Sequence, residues 1–267
     1  MNPVIQTLSL ILIALTLVSL AWSTVGVRRR EGRSSAAPLR PIEAITVIPQ
    51  MIGFSVESDR PLLLSTGGAP LGGEHTLIAL AGAELASYLA RETAVGQSIP
   101  VFLTSEVSTL PLGYDALQRA YKLRDLPNRS GFTHARWYPA GSRSLVFAAM
   151  MTATLHSDQI GGGVLVGSFG AELGLVLASC IRRGIPVIAG TDDLAGTAIV
   201  YAMSDGALLG ENVFAVTGYL GDRPNQRASL FAMNFLRVTV ILALLLITLQ
   251  QPAVTDFARS VVDSLFR

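Results

Sequence analysis

Six acidic side chains, Glu74, Glu106, Glu172, Asp192, Asp193 and Glu211, each stand where a short apolar run gives way to a segment of helical period. Beside them are the small and hydroxylated residues that polar ligands use: Gly67 and Gly68, Ser168 and Gly170, and Thr191. Carboxylates and hydroxyls set together can hold a divalent cation, and the adjacent pair Asp192-Asp193 is the best placed for one. Backbone N–H groups at glycine turns can hold an anion. Arg143 is the one strong cation at the same set of turns. The candidate ligand set is therefore Gly67, Gly68, Glu106, Arg143, Ser168, Gly170, Glu172, Thr191, Asp192 and Glu211, with Asp192 and Asp193 as candidate metal ligands.

A second account of the same residues needs no ligand. Acidic groups at a helix start complement its dipole, and Ser, Thr and Asp cap it. Helix-end chemistry is the reading these residue types favour. A polar or metal-bridged ligand site comes second.

Familiar nucleotide motifs fail. A dinucleotide fingerprint requires Gly-x-Gly-x-x-Gly after the first strand, which neither the first turn nor Gly167-Ser168-Phe169-Gly170 supplies. A P-loop requires Gly-Lys-Ser/Thr at its end, whereas Gly73 is followed by Glu74 and His75. Carboxylates along this edge would repel a phosphate unless a metal intervened. His75, His134 and His156 have no metal-ligand spacing, and Ser168 sits one residue too early for a nucleophile elbow. The single Cys180, in an apolar helical context, reads as a packing residue. No catalytic residue and no cofactor follow.

These turns need elements to hold them. Strands are predicted at Pro61–Thr66, Ile99–Thr104, Thr133–Tyr138, Gly163–Gly167, Ile185–Ala189 and Ala207–Gly210. Helices are predicted at Glu74–Val95, Pro111–Asp125, Ser142–Asp158, Ala171–Arg183, Asp192–Ser204 and Asn212–Leu220. Gly96 and Gly184 stop helices ahead of Ile-Pro strand starts. Strand–helix alternation of this kind calls for parallel pairing, because parallel neighbours need a long crossover. The expected fold is α/β, a Rossmann-like doubly wound, mostly parallel sheet over residues 60–222, with ligands expected beyond the carboxyl ends of its strands.

The ends of the chain are of a different character. Half of the 267 residues are hydrophobic and only 15% are charged, more apolar than a soluble protein of this length. Pro3 to Val27 carries no charged side chain and, as a helix, would extend about 37 Å, enough to cross a bilayer. No basic residue precedes it, so it reads as an anchor and not as a cleaved leader. Arg28, Arg29, Arg30 and Arg33 follow it and place residues 28 onward in the cytoplasm. Residues 28–59 read as a basic juxtamembrane linker and a segment, Ile42 to Val56, whose Pro49 and Gly53 leave it unassigned. A second span is expected over 229–250, with Arg237 either buried against a partner or snorkelling to the headgroups. Residues 251–267 have the period of an amphipathic helix with a polar face of zero net charge, lying on lipid or docking on another subunit. The expected topology is two spans in the inner (plasma) membrane, both termini outside, and the α/β domain, inserted between the spans, in the cytoplasm.

The stretch 182–221, RRGIPVIAGTDDLAGTAIVYAMSDGALLGENVFAVTGYLG, together with GSFGAE at 167–172, resembles an uncharacterised bacterial family of membrane-anchored proteins bearing a domain of unknown function. That resemblance implies the anchored architecture and transfers no catalytic residue. The function expected is a membrane-anchored module that binds a partner protein or a small polar ligand as scaffold, sensor or complex subunit. The alternative is a metal-dependent enzyme acting on a sugar or nucleotide derivative at the acidic edge. Expected partners are the membrane and a homo-oligomer or larger membrane complex; nucleic acid is not among them.

Overall fold

The computed structural model describes residues 42–126 and 132–220, together with Arg237, Val240 and Ile241. The chain divides into two units, Pro38–Gly221 and Met1–Ala37 with Asp222–Arg267. The expected spans 3–27 and 229–250, the linker 28–41 and the helix 251–267 lie outside the described residues, apart from those three positions. No helix among the described residues is long and apolar enough to cross a membrane.

Among the described residues, the larger unit has six strands and seven α-helices. The strands are β1 Leu62–Gly67, β2 Val101–Thr104, β3 Ala135–Trp137, β4 Gly162–Ser168, β5 Val187–Thr191 and β6 Gly206–Leu208. The helices are α1 Glu43–Ser58, α2 Thr76–Thr93, α3 Leu110–Lys122, α4 Leu145–Ser157, α5 Leu173–Arg183, α6 Leu194–Met203 and α7 Asn212–Leu220. Every strand and helix expected from Arg60 onward is present, with ends moved by zero to three residues. Pro100 and Pro186 stand just before their strands instead of opening them, because a ladder position needs the N–H that proline lacks.

All five pairings are parallel, and the sheet runs in the order β3-β2-β1-β4-β5-β6. The chain steps outward from β1 to β3, then crosses back to lay β4 on the free side of β1. That reversal puts the topological switch point between β1 and β4, which defines the doubly wound arrangement. The central strands are buried along their whole length, as strands covered on both faces must be. On one face Leu63, Leu103, Leu165 and Ala189 pack with Phe147 and Met151 of α4, Leu173 and Leu177 of α5, and Val200 of α6. Burial of each such large side chain stabilises by about 1.5–3 kcal/mol.

The segment left unassigned in sequence is helix α1, and it belongs to the same unit. Ala44, Ile48, Met51 and Ser55 are all buried, at the spacing of one helix face. Pro49 sits inside this helix on its exposed side. The helix runs along the amino edge of the sheet. A Cβ on Gly206, at the start of β6, would lie 3.1 Å from the Ala44 Cα, and one on Gly162, at the start of β4, would meet the Met51 side chain.

Candidate functional site

At the carboxyl edge β1 ends in Gly67, with φ +61°, a conformation that L side chains rarely adopt. A Cβ there would strike the Ser168 carbonyl oxygen and lie 2.8 Å from the Phe169 ring. A Cβ on Gly167 would strike the Thr66 backbone. These glycines let the ends of β1 and β4 close on each other. The cleft that a switch point usually offers is filled by Phe169, only 2% exposed.

Several backbone donors of this edge are taken from within. Gly68 N–H donates to the Ser168 carbonyl at 2.9 Å. Leu71 N–H donates to Ser108 Oγ at 3.1 Å. Gly72 and Gly73 N–H both donate to Thr76 Oγ1, at 2.9 and 3.0 Å. Phe169 N–H donates to Thr191 Oγ1 at 3.0 Å, and that hydroxyl donates back to the Phe169 carbonyl at 2.9 Å. Gly170 N–H, at the entrance to α5, donates to Glu172 Oε1 at 2.8 Å. The place where a helix start would hold a phosphate is occupied by the protein's own carboxylate. The Gly67 carbonyl in turn accepts from Ser105 N–H, Ser105 Oγ and Thr104 Oγ1, which ties β2 to the same knot.

The acidic residues fall just before the helices and not within their first turns. Asp193 is the N-cap of α6, its Oδ1 accepting from Gly196 N–H at 2.9 Å. Asp192 Oδ2 lies 2.6 Å from His75 Nδ1, and His75 Nε2 lies 3.6 Å from Glu74 Oε1. The hydrogen bond to Asp192 raises the His75 pKa above its ordinary value of 6.5, against a smaller desolvation effect and with help from the nearby charges of Asp192, Glu74 and Asp193. Among the described residues no three His, Cys, Asp or Glu side chains converge to hold a metal ion.

The structure brings together Gly67, Gly68, Ser168, Gly170, Glu172, Thr191 and Asp192, all from the ends of β1, β4 and β5. It does not bring in Arg143, which follows β3, or Glu211, which follows β6. Those two strands are the opposite edges of the sheet, five strand spacings or roughly 24 Å apart. Arg143 is exposed, and both it and the half-buried Ser144 beside it are in the left-handed region. Glu106 is half-buried beyond β2, where its carbonyl accepts from Thr104 Oγ1 and Thr109 Oγ1.

Two features of the edge were missed in sequence. One is His75, set aside for lack of metal spacing although its partner is a carboxylate 117 positions away. The other is an apolar rim. Each of the six strands is followed by a large exposed apolar residue within the first three residues of the next helix: Leu77, Val107, Leu145, Leu175, Leu194 and Phe214. Leu194 is 86% exposed and Leu77 69%. The signal was available, since each of these residues stands one to three positions beyond a carboxylate or, for Leu145, beyond Arg143 and Ser144.

A family model described as a domain of unknown function (DUF6754) matches residues 4–262. The chain belongs to this family. The match extends past the α/β unit on both sides, so both end segments are part of what defines the family. No curated protein and no solved structure matches the chain.

Proposed function

We propose that this member of the family is a membrane-anchored binding module that docks a partner protein on the carboxyl edge of its sheet, as a scaffold, sensor or subunit of a membrane complex. The observation that carries this reading is the composition of that edge. Each strand is followed, in the turn or the first residues of the next helix, by an exposed apolar side chain, interleaved with the carboxylates Glu74, Glu106, Glu172, Asp192 and Glu211, while the N–H groups of Leu71, Gly72, Gly73 and Gly170 are bonded within the protein. Apolar anchors among like charges suit a protein surface of complementary charge more than a phosphate or an anionic lipid. The anchor is the pair of apolar stretches 3–27 and 229–250, with both termini outside and the α/β unit on the cytoplasmic side of a bacterial inner membrane.

A photocrosslinking residue at Leu194 or Leu77 in the full chain, expressed in its cell, tests the docking. A discrete protein adduct is expected from both positions and not from Leu123, an exposed apolar residue at the opposite edge. Adducts of equal intensity from all three, or from none, reject the reading. A reporter fused after Arg267 should score as external and one inserted near Asn128 as cytoplasmic; the reverse result removes the anchored topology but leaves the edge untouched.

A metal-dependent enzyme at the same edge has less support. One oxygen of Asp193 caps α6 and one of Asp192 is engaged by His75, and no third His, Cys, Asp or Glu among the described residues joins them as a metal ligand.

A further inference from the structure

The amino edge of the sheet holds a pocket of opposite character. Arg60 precedes β1, His156 lies in the last turn of α4, Gln159 precedes β4 and Arg183 ends α5; their side chains surround a cleft of about 110 Å³ floored by Leu155 and Ile160. That volume is far above the ~10–15 Å³ that admits one water. Arg183 Nη1 lies 3.1 Å from His156 Nδ1, so the guanidinium is held in place by a ring nitrogen and not by a carboxylate.

Among the described residues no carboxylate pairs with Arg60 or Arg183. Asp59 precedes Arg60 without an ion pair to it, and two other acids of this edge are engaged elsewhere. Asp158 pairs with Arg136 at 2.7 Å, and Asp205 accepts from Val187 N–H at 2.7 Å. The ends of α4 and α5 bring partial negative charge to this place, about half a charge each at most. Gly184 and Ile185 N–H cover the Ile181 and Cys180 carbonyls, which reduces the share from α5. Two guanidinium groups and a third donor-capable ring line the cleft itself, and no carboxylate does.

We propose that the Arg60, His156 and Arg183 pocket binds a phosphate group. Two planar guanidinium forks and an imidazole around one small cleft match the tetrahedral, multiply accepting phosphate oxygens. The position of the pocket suggests two sources for the group. Helix α1, which follows the basic segment 28–41, enters the unit along this same edge, so a lipid headgroup and a soluble phosphate ester are both within the chemistry. The site is independent of partner docking at the carboxyl edge.

The full chain in non-ionic detergent is titrated by calorimetry with glycerol 3-phosphate and with short-chain phosphatidic acid, at constant ionic strength. Saturable binding of at least one is expected, weakened about tenfold or more in Arg60→Gln/Arg183→Gln and to a lesser extent in Arg183→Lys, which keeps charge but loses the fork. Tighter binding of the lipid by about tenfold assigns the group to a headgroup, and comparable binding assigns it to a soluble ester. Because all three polar side chains are exposed, the variants should keep the wild-type unfolding temperature. No saturable binding of either compound at millimolar concentration, or binding unchanged in the double variant, overturns the proposal.

Discussion

His75 and Asp192 meet at 2.6 Å across the end of a strand that belongs to neither of them. His75 follows β1 and Asp192 follows β5, and β4 lies between, so the pair spans two strand spacings, roughly 10 Å, over the Gly167–Gly170 turn. It ties the turn that leads into α2 to the turn that leads into α6. The apolar rim residues Leu77 and Leu194 each lie two positions from one member of the pair, so its geometry sets how two of the six rim positions are presented.

This pair makes stability depend on pH with a definite sign. The folded chain raises the His75 pKa above 6.5, so the folded state holds the proton more tightly than the unfolded state. The stabilisation is complete below 6.5 and is lost as pH rises through the raised folded value. With about a third of the His75 side chain exposed, the effect should stay within the ~0.2–1 kcal/mol usual for exposed pairs. Wild type should lose stability between pH 6 and pH 8 relative to His75→Gln, as measured by thermal unfolding. Parallel curves for the two proteins would mean that the pair contributes nothing.

Much of the fold was legible because periodicity carries it. All-apolar runs such as Leu62-Leu63-Leu64 followed by helical segments left few arrangements other than a parallel sheet. Helix α1 was not legible, because Pro49 and Gly53 are strong local signals against helix, while the opposing signal is tertiary: Ala44, Ile48, Met51 and Ser55 form a face only once the sheet's amino edge is there to cover it. The site was legible as a list and not as a shape. Sequence places Arg143 and Glu211 at strand ends, but strand order alone sends them to opposite edges. Nor could it show that Glu172 turns back onto Gly170, because hydrogen bonds of that kind depend on where the chain bends.

Glu172 closing on Gly170 yields a second prediction. Glu172→Ala leaves a half-buried N–H without its carboxylate, and loss of such a cap-like bond costs about 0.5–2 kcal/mol. The same change exposes an N–H donor at the start of α5 and removes a negative charge. Sulfate should therefore stabilise the variant more than wild type in a thermal-shift series against chloride at equal ionic strength. Equal responses would show that Glu172 is not what keeps anions away from this helix start.

Cys180 is 2% exposed, and burial pushes its thiol pKa up to about 12, with Arg183 lowering it by less. A thiol so placed is protonated at neutral pH and has little access to reagents. It should react with a maleimide at a rate set by unfolding, rising steeply with denaturant. Fast labelling of the native chain would show that α5 opens readily, and with it the wall that carries Arg183.

Thr66 supplies the last test, because its hydroxyl is buried without a hydrogen-bond partner. It lies in β1 one residue before the Gly67 turn, and a Cβ on Gly82 of α2 would come within 3.1 Å of its methyl group. An orphan hydroxyl in a closed interior costs about 1–3 kcal/mol of desolvation, and an isosteric methyl does not. If the chain simply tolerates that cost, Thr66→Val should raise the unfolding free energy by on the order of 1 kcal/mol with no change in crosslinking from Leu77 or Leu194. If the hydroxyl gains its partner only when the carboxyl edge is occupied, the variant should instead be more stable alone and weaker in adduct formation at both rim positions. Thermal unfolding and crosslinking yield measured on the same preparations separate the two outcomes. A variant that is less stable than wild type would mean that the Thr66 hydroxyl is satisfied in the free protein, by a buried water or by a small movement of α2.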